Sequence, residues 1–77
     1  MQIKILGAGC ANCKKLEENT RTAVQELGID AEIQKIEDIA QIMGYGVLST
    51  PGLVVDGEVK ASGRLLSVDE IKAVLKG

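Results

Sequence analysis

The spacing of apolar residues changes along this 77-residue chain, and each spacing predicts a different element. A short β-branched run from Gln2 to Leu6 predicts a first strand. From Ala11 to Leu27 the apolar or small residues recur at helical spacing, which predicts a helix with one face packed on a sheet. Gly28 stands where a left-handed residue ends a helix, and Ala31 to Ile36 predicts a second strand. Strand, helix and strand in this order form a βαβ unit, so we expect the two strands to be parallel.

The second half of the chain predicts a short helix, a hairpin and a final helix. Asp38 is a suitable N-cap for a helix that ends at Gly44. The dipeptide Asp56-Gly57 is a strong hairpin signal between the runs 53–55 and 58–61. The segment 67–70 has the spacing of a capping box, and the apolar positions after it predict an amphipathic helix. The predicted order is βαβαββα, and we expect residues 1–77 to form a single domain.

The composition indicates how so small a domain is stabilised. Small domains often need disulfides or a metal, but two cysteines only two residues apart close a loop too short to constrain the unfolded chain much. Hydrophobic residues make up 45% of the chain, and Tyr45 is its only aromatic residue. Stability must therefore come from aliphatic packing, which leaves the cysteine pair free for chemistry.

The charge pattern and the hydropathy exclude some partners. The net charge is −2, and neither a basic block nor an aromatic stacking set is present, so we expect no nucleic-acid binding. No apolar run approaches the ~20 residues that span a bilayer, and no leader pattern of charged then apolar residues begins the chain. We therefore expect a soluble, cytoplasmic protein without a membrane association. In that compartment a close cysteine pair favours catalysis or metal binding over a permanent structural bridge.

Cys10-Ala11-Asn12-Cys13 is the most informative motif, and it contains both cysteines of the chain. It follows the first predicted strand and a glycine-containing loop, and it opens the first predicted helix. This spacing brings two sulfurs close enough for a disulfide, and the first sulfur lies near the unpaired N–H groups of the helix N-terminus, which favour a thiolate. A C-x-x-C motif beside a βαβ pattern resembles the redox site of thioredoxins.

Further motifs carry a resemblance to a known family over the whole chain. They are Tyr45-Gly46-Val47, Ser49-Thr50-Pro51, Leu53-Val54-Val55-Asp56-Gly57 and Gly63-Arg64. With the cysteine pair, they make the chain similar to the thioredoxin/glutaredoxin superfamily, and most of all to its small archaeal and bacterial redox-active disulfide proteins. The resemblance implies an α/β, thioredoxin-like fold with a four-stranded mixed sheet and helices on both faces. It also implies a cis peptide bond before Pro51.

The chemistry of the motif predicts a role for each cysteine. Cys10 is at the start of the helix and is the expected nucleophile, whereas Cys13 is one turn later and is expected to resolve the mixed disulfide. Ala11 and Asn12 are small enough to let a substrate approach, so we expect them to line its binding site.

The resemblance implies the partners and the remaining substrate contacts. The bond before Pro51 would face the cysteine pair, and the backbone of Thr50 would pair with an extended substrate segment. The substrate would be a disulfide in a protein or in a low-molecular-weight thiol compound, and the electron donor a flavin-dependent disulfide reductase. We expect a monomer without a cofactor other than its own disulfide.

Some positions depart from the pattern of larger thioredoxins. Gly9 stands in place of a tryptophan, and Lys4, six residues before Cys10, in place of a buried acid. The chain contains no histidine, so the proton acceptor for Cys13 is unassigned. Tyr45 has two interpretations: a loop aromatic residue that packs on the core, or a lid near the cysteines.

The alternative interpretation is a thiolate metal-binding or metallochaperone-like module. Heavy-metal-binding domains also carry a C-x-x-C motif between a first strand and a helix, and two thiolates can hold Cu(I) or half of a shared zinc site. Their order is βαββαβ, however, and their usual Met-Thr before the first cysteine is Ala8-Gly9 here. A closed zinc site also lacks ligands, because the chain has no third cysteine and no histidine. We therefore interpret the chain as a thiol-disulfide oxidoreductase with no metal site.

Overall fold

The computed structural model describes residues 1–7 and 9–76, so Ala8 of the glycine loop and Gly77 lie outside the described residues. The elements follow in the predicted order βαβαββα. They are β1 (Gln2–Leu6), α1 (Ala11–Leu27), β2 (Glu32–Ile36), α2 (Ile39–Gly44), β3 (Gly52–Val55), β4 (Glu58–Ser62) and α3 (Val68–Lys76). The predicted bounds differ from these by one residue at the start of β2, the start of β3 and the end of β4, where element ends are least well defined by sequence.

The four strands form one mixed sheet in the order β2-β1-β3-β4. Strand β1 is central, parallel to β2 and antiparallel to β3, and β3 and β4 form an antiparallel hairpin. The central position explains why Ile3, Ile5 and Leu6 are at most 1% exposed. The carboxyl end of β1 therefore emerges between two neighbouring strands, directly before the cysteine motif.

The two faces of the sheet bury separate apolar clusters. On one face, Ile3 and Ile5 pack with residues of α1 and α3, among them Leu16 and Ile71. On the opposite face, Leu6 packs in a smaller cluster that includes buried side chains of β2, α2 and β3. Alternation along the strands sends neighbouring side chains to opposite faces, so helices cover both faces of the sheet as the resemblance implies.

The sequence signals for caps and turns act as predicted. Asp38 accepts a hydrogen bond from a backbone N–H of the first turn of α2 at 2.9 Å. Ser67 and Glu70 form the reciprocal bonds of a capping box, at 3.2 and 3.0 Å. In the hairpin, Asp56 and Gly57 have φ angles of 49° and 84°, and two positive φ angles are what a two-residue type I′ turn requires.

Tyr45 packs against the smaller apolar cluster, which favours the packing interpretation over a lid. Its hydroxyl accepts a hydrogen bond from Lys4 Nζ at 2.8 Å, and the same ammonium lies 5.6 Å from the centroid of the ring. The Lys4 side chain is partly buried. The lysine that stands in place of the buried acid of larger thioredoxins therefore binds the phenol after α2.

Gly7 lets three segments converge at the end of β1. Its N–H donates to the carbonyl of Ile36 at 2.9 Å, and its φ is 147°. A Cβ at this position would overlap Cys13 Sγ and would lie 3.3 Å from Thr50 Cβ. Only glycine leaves enough room here for Cys13 and Thr50 to flank the backbone.

We expect Tyr45→Phe to lower the free energy of unfolding by about 1–2 kcal/mol, because the partly buried Lys4 ammonium loses its acceptor. Urea denaturation followed by circular dichroism measures this change. The double variant Lys4→Met, Tyr45→Phe is the control and should recover most of the loss, because both polar partners are then replaced by apolar ones. A double variant that loses as much as the sum of the two single changes would contradict the hydrogen-bond explanation.

We expect Gly7→Ala to destabilise the protein by about 2 kcal/mol or more, because the backbone strain adds to the overlap with Cys13. Gly9→Ala is the matched control in the same loop: its φ is 69° but no atom lies within 4 Å of an added Cβ. This control should cost only about 1 kcal/mol, the strain of a left-handed alanine. Denaturation in a Cys13→Ala background separates the causes, since the cost of Gly7→Ala should fall there. An equal cost in both backgrounds would exclude the overlap.

Candidate redox site

Cys10 and Cys13 form a disulfide at the N-terminus of α1, with their Cα atoms 5.1 Å apart. Cys10 is the N-cap, in extended conformation with φ −85° and ψ 156°. Its Sγ accepts a hydrogen bond from the backbone N–H of Cys13 at 3.0 Å, and its carbonyl accepts one from the N–H of Lys14 at 3.1 Å. A sulfur thus fills the position that a serine or aspartate oxygen usually occupies at a helix start.

The two sulfurs lie in different surroundings. Cys13 is only 5% exposed and faces Gly7, whereas Cys10 is partly exposed. Ala11 and Asn12, between them, are both exposed. The motif therefore presents the Cys10 side of the disulfide to solvent and covers the Cys13 side.

The loop before β3 lies against the cysteine motif. Its Thr50–Pro51 peptide bond is cis, Thr50 is exposed and Pro51 is buried. The Pro51 carbonyl accepts a hydrogen bond from the N–H of Gly63 at 2.9 Å, which attaches the loop to the end of β4. Gly63 has a φ of 69°, and an added Cβ would lie 2.9 Å from Ser49 Cβ, so a side chain at Gly63 would push this loop. Of the site residues predicted from the sequence, Cys13 and Thr50 thus come together beside Gly7.

A cavity of about 160 Å³ with charged lining residues reaches the buried Cys13. This volume is large enough for several water molecules, and charged side chains favour its hydration. The cavity can therefore bring water next to a cysteine that is otherwise buried. The charged residues that line it are Lys14, Glu17, Lys35 and Glu37.

Glu17 is the residue of this site that the sequence reasoning missed. Its side chain is 19% exposed and accepts a hydrogen bond from Arg21 at 2.9 Å, with Lys35 Nζ at 3.7 Å. The Arg21 hydrogen bond, with the positive charge of Lys35, holds the pKa of the Glu17 carboxyl below its ordinary value. The sequence could have indicated Glu17, because it is four positions after Cys13 and therefore lies on the same face of the helix.

The described residues show neither a metal cluster nor a membrane helix. Among residues 1–7 and 9–76, no group of three or more histidine, cysteine or acidic side chains is placed to hold a metal ion. Within the same part of the chain, no helix has the length and apolar character needed to cross a bilayer.

Comparisons with known proteins agree with this geometry. The family model described as "Thioredoxin domain" matches residues 1–76. A protein named thioredoxin from Methanothermobacter thermautotrophicus is 56% identical over 75 residues, which is 97% of this chain and 97% of that protein. A protein of the same name from Methanocaldococcus jannaschii is 46% identical over 74 residues, 96% of this chain and 85% of that protein.

A solved structure supports the fold on its own. The structure of a malarial protein superposes with a TM-score of 0.73 over 97% of this chain and 92% of that chain, at 16% identity. A likeness at such low identity concerns the fold alone, whereas the two relatives named thioredoxin are 56% and 46% identical over nearly the whole of this chain. With a C-x-x-C disulfide at the start of its first helix, the chain belongs to the thioredoxin family and is a thiol-disulfide oxidoreductase.

Proposed function

We propose that Cys10 attacks the disulfide of a substrate and that Cys13 resolves the intermediate, in a single domain of residues 1–77. The Cys10 thiolate attacks one substrate sulfur, forms a mixed disulfide and releases the other substrate sulfur as a thiolate. The Cys13 thiol then gives its proton to water, and its sulfur attacks the Cys10 sulfur of the mixed disulfide, which forms the Cys10–Cys13 disulfide and releases the second substrate thiolate. Two electrons pass from the protein to the substrate.

The observation that carries this proposal is the N-cap position of the Cys10 sulfur. The hydrogen bond from the backbone N–H of Cys13 at 3.0 Å and the positive end of a 17-residue helix both favour negative charge on this sulfur. Burial disfavours a thiolate at Cys13, which is 5% exposed. The two effects favour a thiolate at Cys10 and a protonated thiol at Cys13, so we expect the exposed sulfur to be the reactive one.

We propose that Ala11, Asn12, Thr50 and Pro51 form the substrate-binding surface. Ala11 and Asn12 are exposed beside the reactive sulfur, and Thr50 is exposed on the loop that flanks Gly7. An extended substrate segment that pairs with the backbone of Thr50 would add a short strand at this point.

Thioredoxins act on disulfide substrates and receive electrons from reductase partners. For this chain we propose a flavin-dependent disulfide reductase as the donor, because a flavin transfers electron pairs between a nicotinamide cofactor and a disulfide. No cofactor beyond the cysteine pair is needed for the exchange steps above. We further propose a monomer, whose apolar clusters are completed within one chain, and a cytoplasmic location, where close cysteine pairs are usually catalytic.

We expect Cys13→Ser to form a mixed disulfide with a substrate and then to stall, because no thiol remains to release it. We expect Cys10→Ser to form far less of this adduct and to react slowly with iodoacetamide near neutral pH. Mass spectrometry of the adducts and the pH dependence of alkylation measure both. The two variants are matched, since each lacks the disulfide and keeps one thiol. Equal alkylation rates, or trapping mainly through Cys13, would reverse the assigned roles.

We expect the Cys10–Cys13 pair to have a midpoint potential of roughly −200 to −300 mV, the range of thioredoxins and glutaredoxins. Equilibration with glutathione or dithiothreitol buffers, followed by quenching with a mobility-shift reagent, gives this value. A cysteine pair that stays reduced under mild oxidation would contradict the redox function.

A further inference from the structure

An open apolar groove of about 430 Å³ runs beside α2 and reaches the loop of the redox site. It touches that site through Thr50, which also flanks Gly7 next to Cys13. The groove is therefore continuous with the surface at which a substrate disulfide must react. Its lining residues are Glu37, Ile39, Ile42, Met43, Val47, Leu48 and Thr50.

The groove is lined by large apolar side chains that are exposed and belong to neither apolar cluster of the fold. Leu48 is 87% exposed, Ile39 70% and Met43 59%, and these are the three most exposed large hydrophobic residues of the described part of the chain. Exposed apolar residues that cluster around a concavity are typical of a surface that binds a partner. Ile39 and Met43 are four residues apart on α2, so they lie on the same face of that helix.

The groove carries a negative charge, that of Glu37. Glu37 is its only charged lining residue, and the side chain of Glu37 is 59% exposed. The nearest cation, Lys35, lies 4.0 Å away and is itself half exposed, so this ion pair is weak. Glu37 also lines the polar cavity beside Cys13, which places a carboxylate between the apolar groove and the redox pair.

Building on the proposed function, we propose that this groove selects protein disulfides in which the segment beside the cysteine carries a large aliphatic side chain and a basic one. A strand paired at Thr50 directs alternate side chains to one face, so an aliphatic residue can enter the groove while a cation two residues further along approaches Glu37. Glutathione disulfide has no aliphatic side chain for the groove, and each half carries two carboxylates that Glu37 repels. We therefore expect the groove to disfavour glutathione disulfide as a substrate.

The test uses peptide substrates that differ in one position. Each peptide carries one cysteine joined by a disulfide to thionitrobenzoate, with leucine two residues away and lysine two residues beyond the leucine, so that both side chains lie on the same face of the strand. One variant peptide replaces the leucine with serine, and another replaces the lysine with glutamate. Stopped-flow absorbance of the released thionitrobenzoate gives the second-order rate constant of the reduced protein with each peptide and with the mixed disulfide of glutathione and thionitrobenzoate. Quenching with a mobility-shift reagent at timed intervals gives the rate constant with hydroxyethyl disulfide.

We expect the leucine peptide to react about tenfold faster than the serine peptide, the effect of burying one aliphatic side chain in part. We expect the lysine peptide to react several times faster than the glutamate peptide, with a ratio that falls as salt screens Glu37. The mixed disulfide of glutathione and thionitrobenzoate, which has the same leaving group, should react more slowly than the leucine peptide.

Protein variants then locate the selectivity. Leu48→Ser and Met43→Ser should bring the leucine-to-serine ratio close to one, and Glu37→Lys should invert the lysine-to-glutamate ratio. Val59→Ser and Glu32→Lys are the matched controls, because Val59 is an exposed residue of β4 outside the groove and Glu32 lies at the other end of β2 from Glu37. Both controls should keep the wild-type ratios.

The results distinguish a failure of the groove proposal from a failure of the proposed redox function. Leucine-to-serine and lysine-to-glutamate ratios near one in the wild-type protein, with normal reactivity toward hydroxyethyl disulfide, would overturn the groove and leave the proposed function intact. The same holds if the control variants change the ratios as much as the groove variants do. A wild-type protein that does not react with hydroxyethyl disulfide would overturn the proposed function and this inference together.

Discussion

The backbone N–H of Cys13 donates to Cys10 Sγ at 3.0 Å, and this hydrogen bond joins the fold of the protein to its chemistry. A helix start needs acceptors for its unpaired N–H groups, and here a cysteine sulfur supplies one. The N–H groups at the helix start also stabilise negative charge. The sulfur of the N-cap residue, Cys10, is therefore well placed to become a thiolate. Any change that moved the start of α1 would therefore alter the capping and the reactivity together.

The position of this helix start depends on the sheet. Strand β1 is central, and its carboxyl end leads into Gly7, which hydrogen-bonds to the end of β2. Since Gly7 has no side chain, Cys13 and Thr50 can both lie close to the space that a Cβ of residue 7 would fill. Two apolar clusters on opposite faces of the sheet hold these segments in place. Aliphatic burial thus supplies the rigidity, and the disulfide is free to open and close.

Two cavities with different linings lie near the redox site, one at Cys13 and the other at Thr50. The cavity beside Cys13 is lined by two lysines and two glutamates, so its charges balance and it suits water and proton exchange. The groove along α2 is apolar with a single carboxylate, which suits a side chain of a protein partner. Glu37 belongs to both, because it follows β2 at the edge where the two open. The two sulfurs also differ in their exposure, since Cys10 is partly exposed and Cys13 is 5% exposed.

The sequence by itself determined the features that depend on near neighbours along the chain. Apolar spacing predicted the element order, Asp56-Gly57 the hairpin, and the Cys10–Cys13 spacing the redox pair at a helix start, because caps, turns and periodicity involve residues a few positions apart. The resemblance to a known family added the sheet and the cis bond before Pro51.

The tertiary structure decided the contacts between distant segments. The pairing of Lys4 with Tyr45, which chose core packing over a lid, joins residues 41 positions apart. The approach of Lys35 to Glu17 and the groove beside α2 depend on which strand lies next to β1 and which face α2 covers. Spacing along the chain holds no information on these choices, because they result from the packing of whole elements against one another.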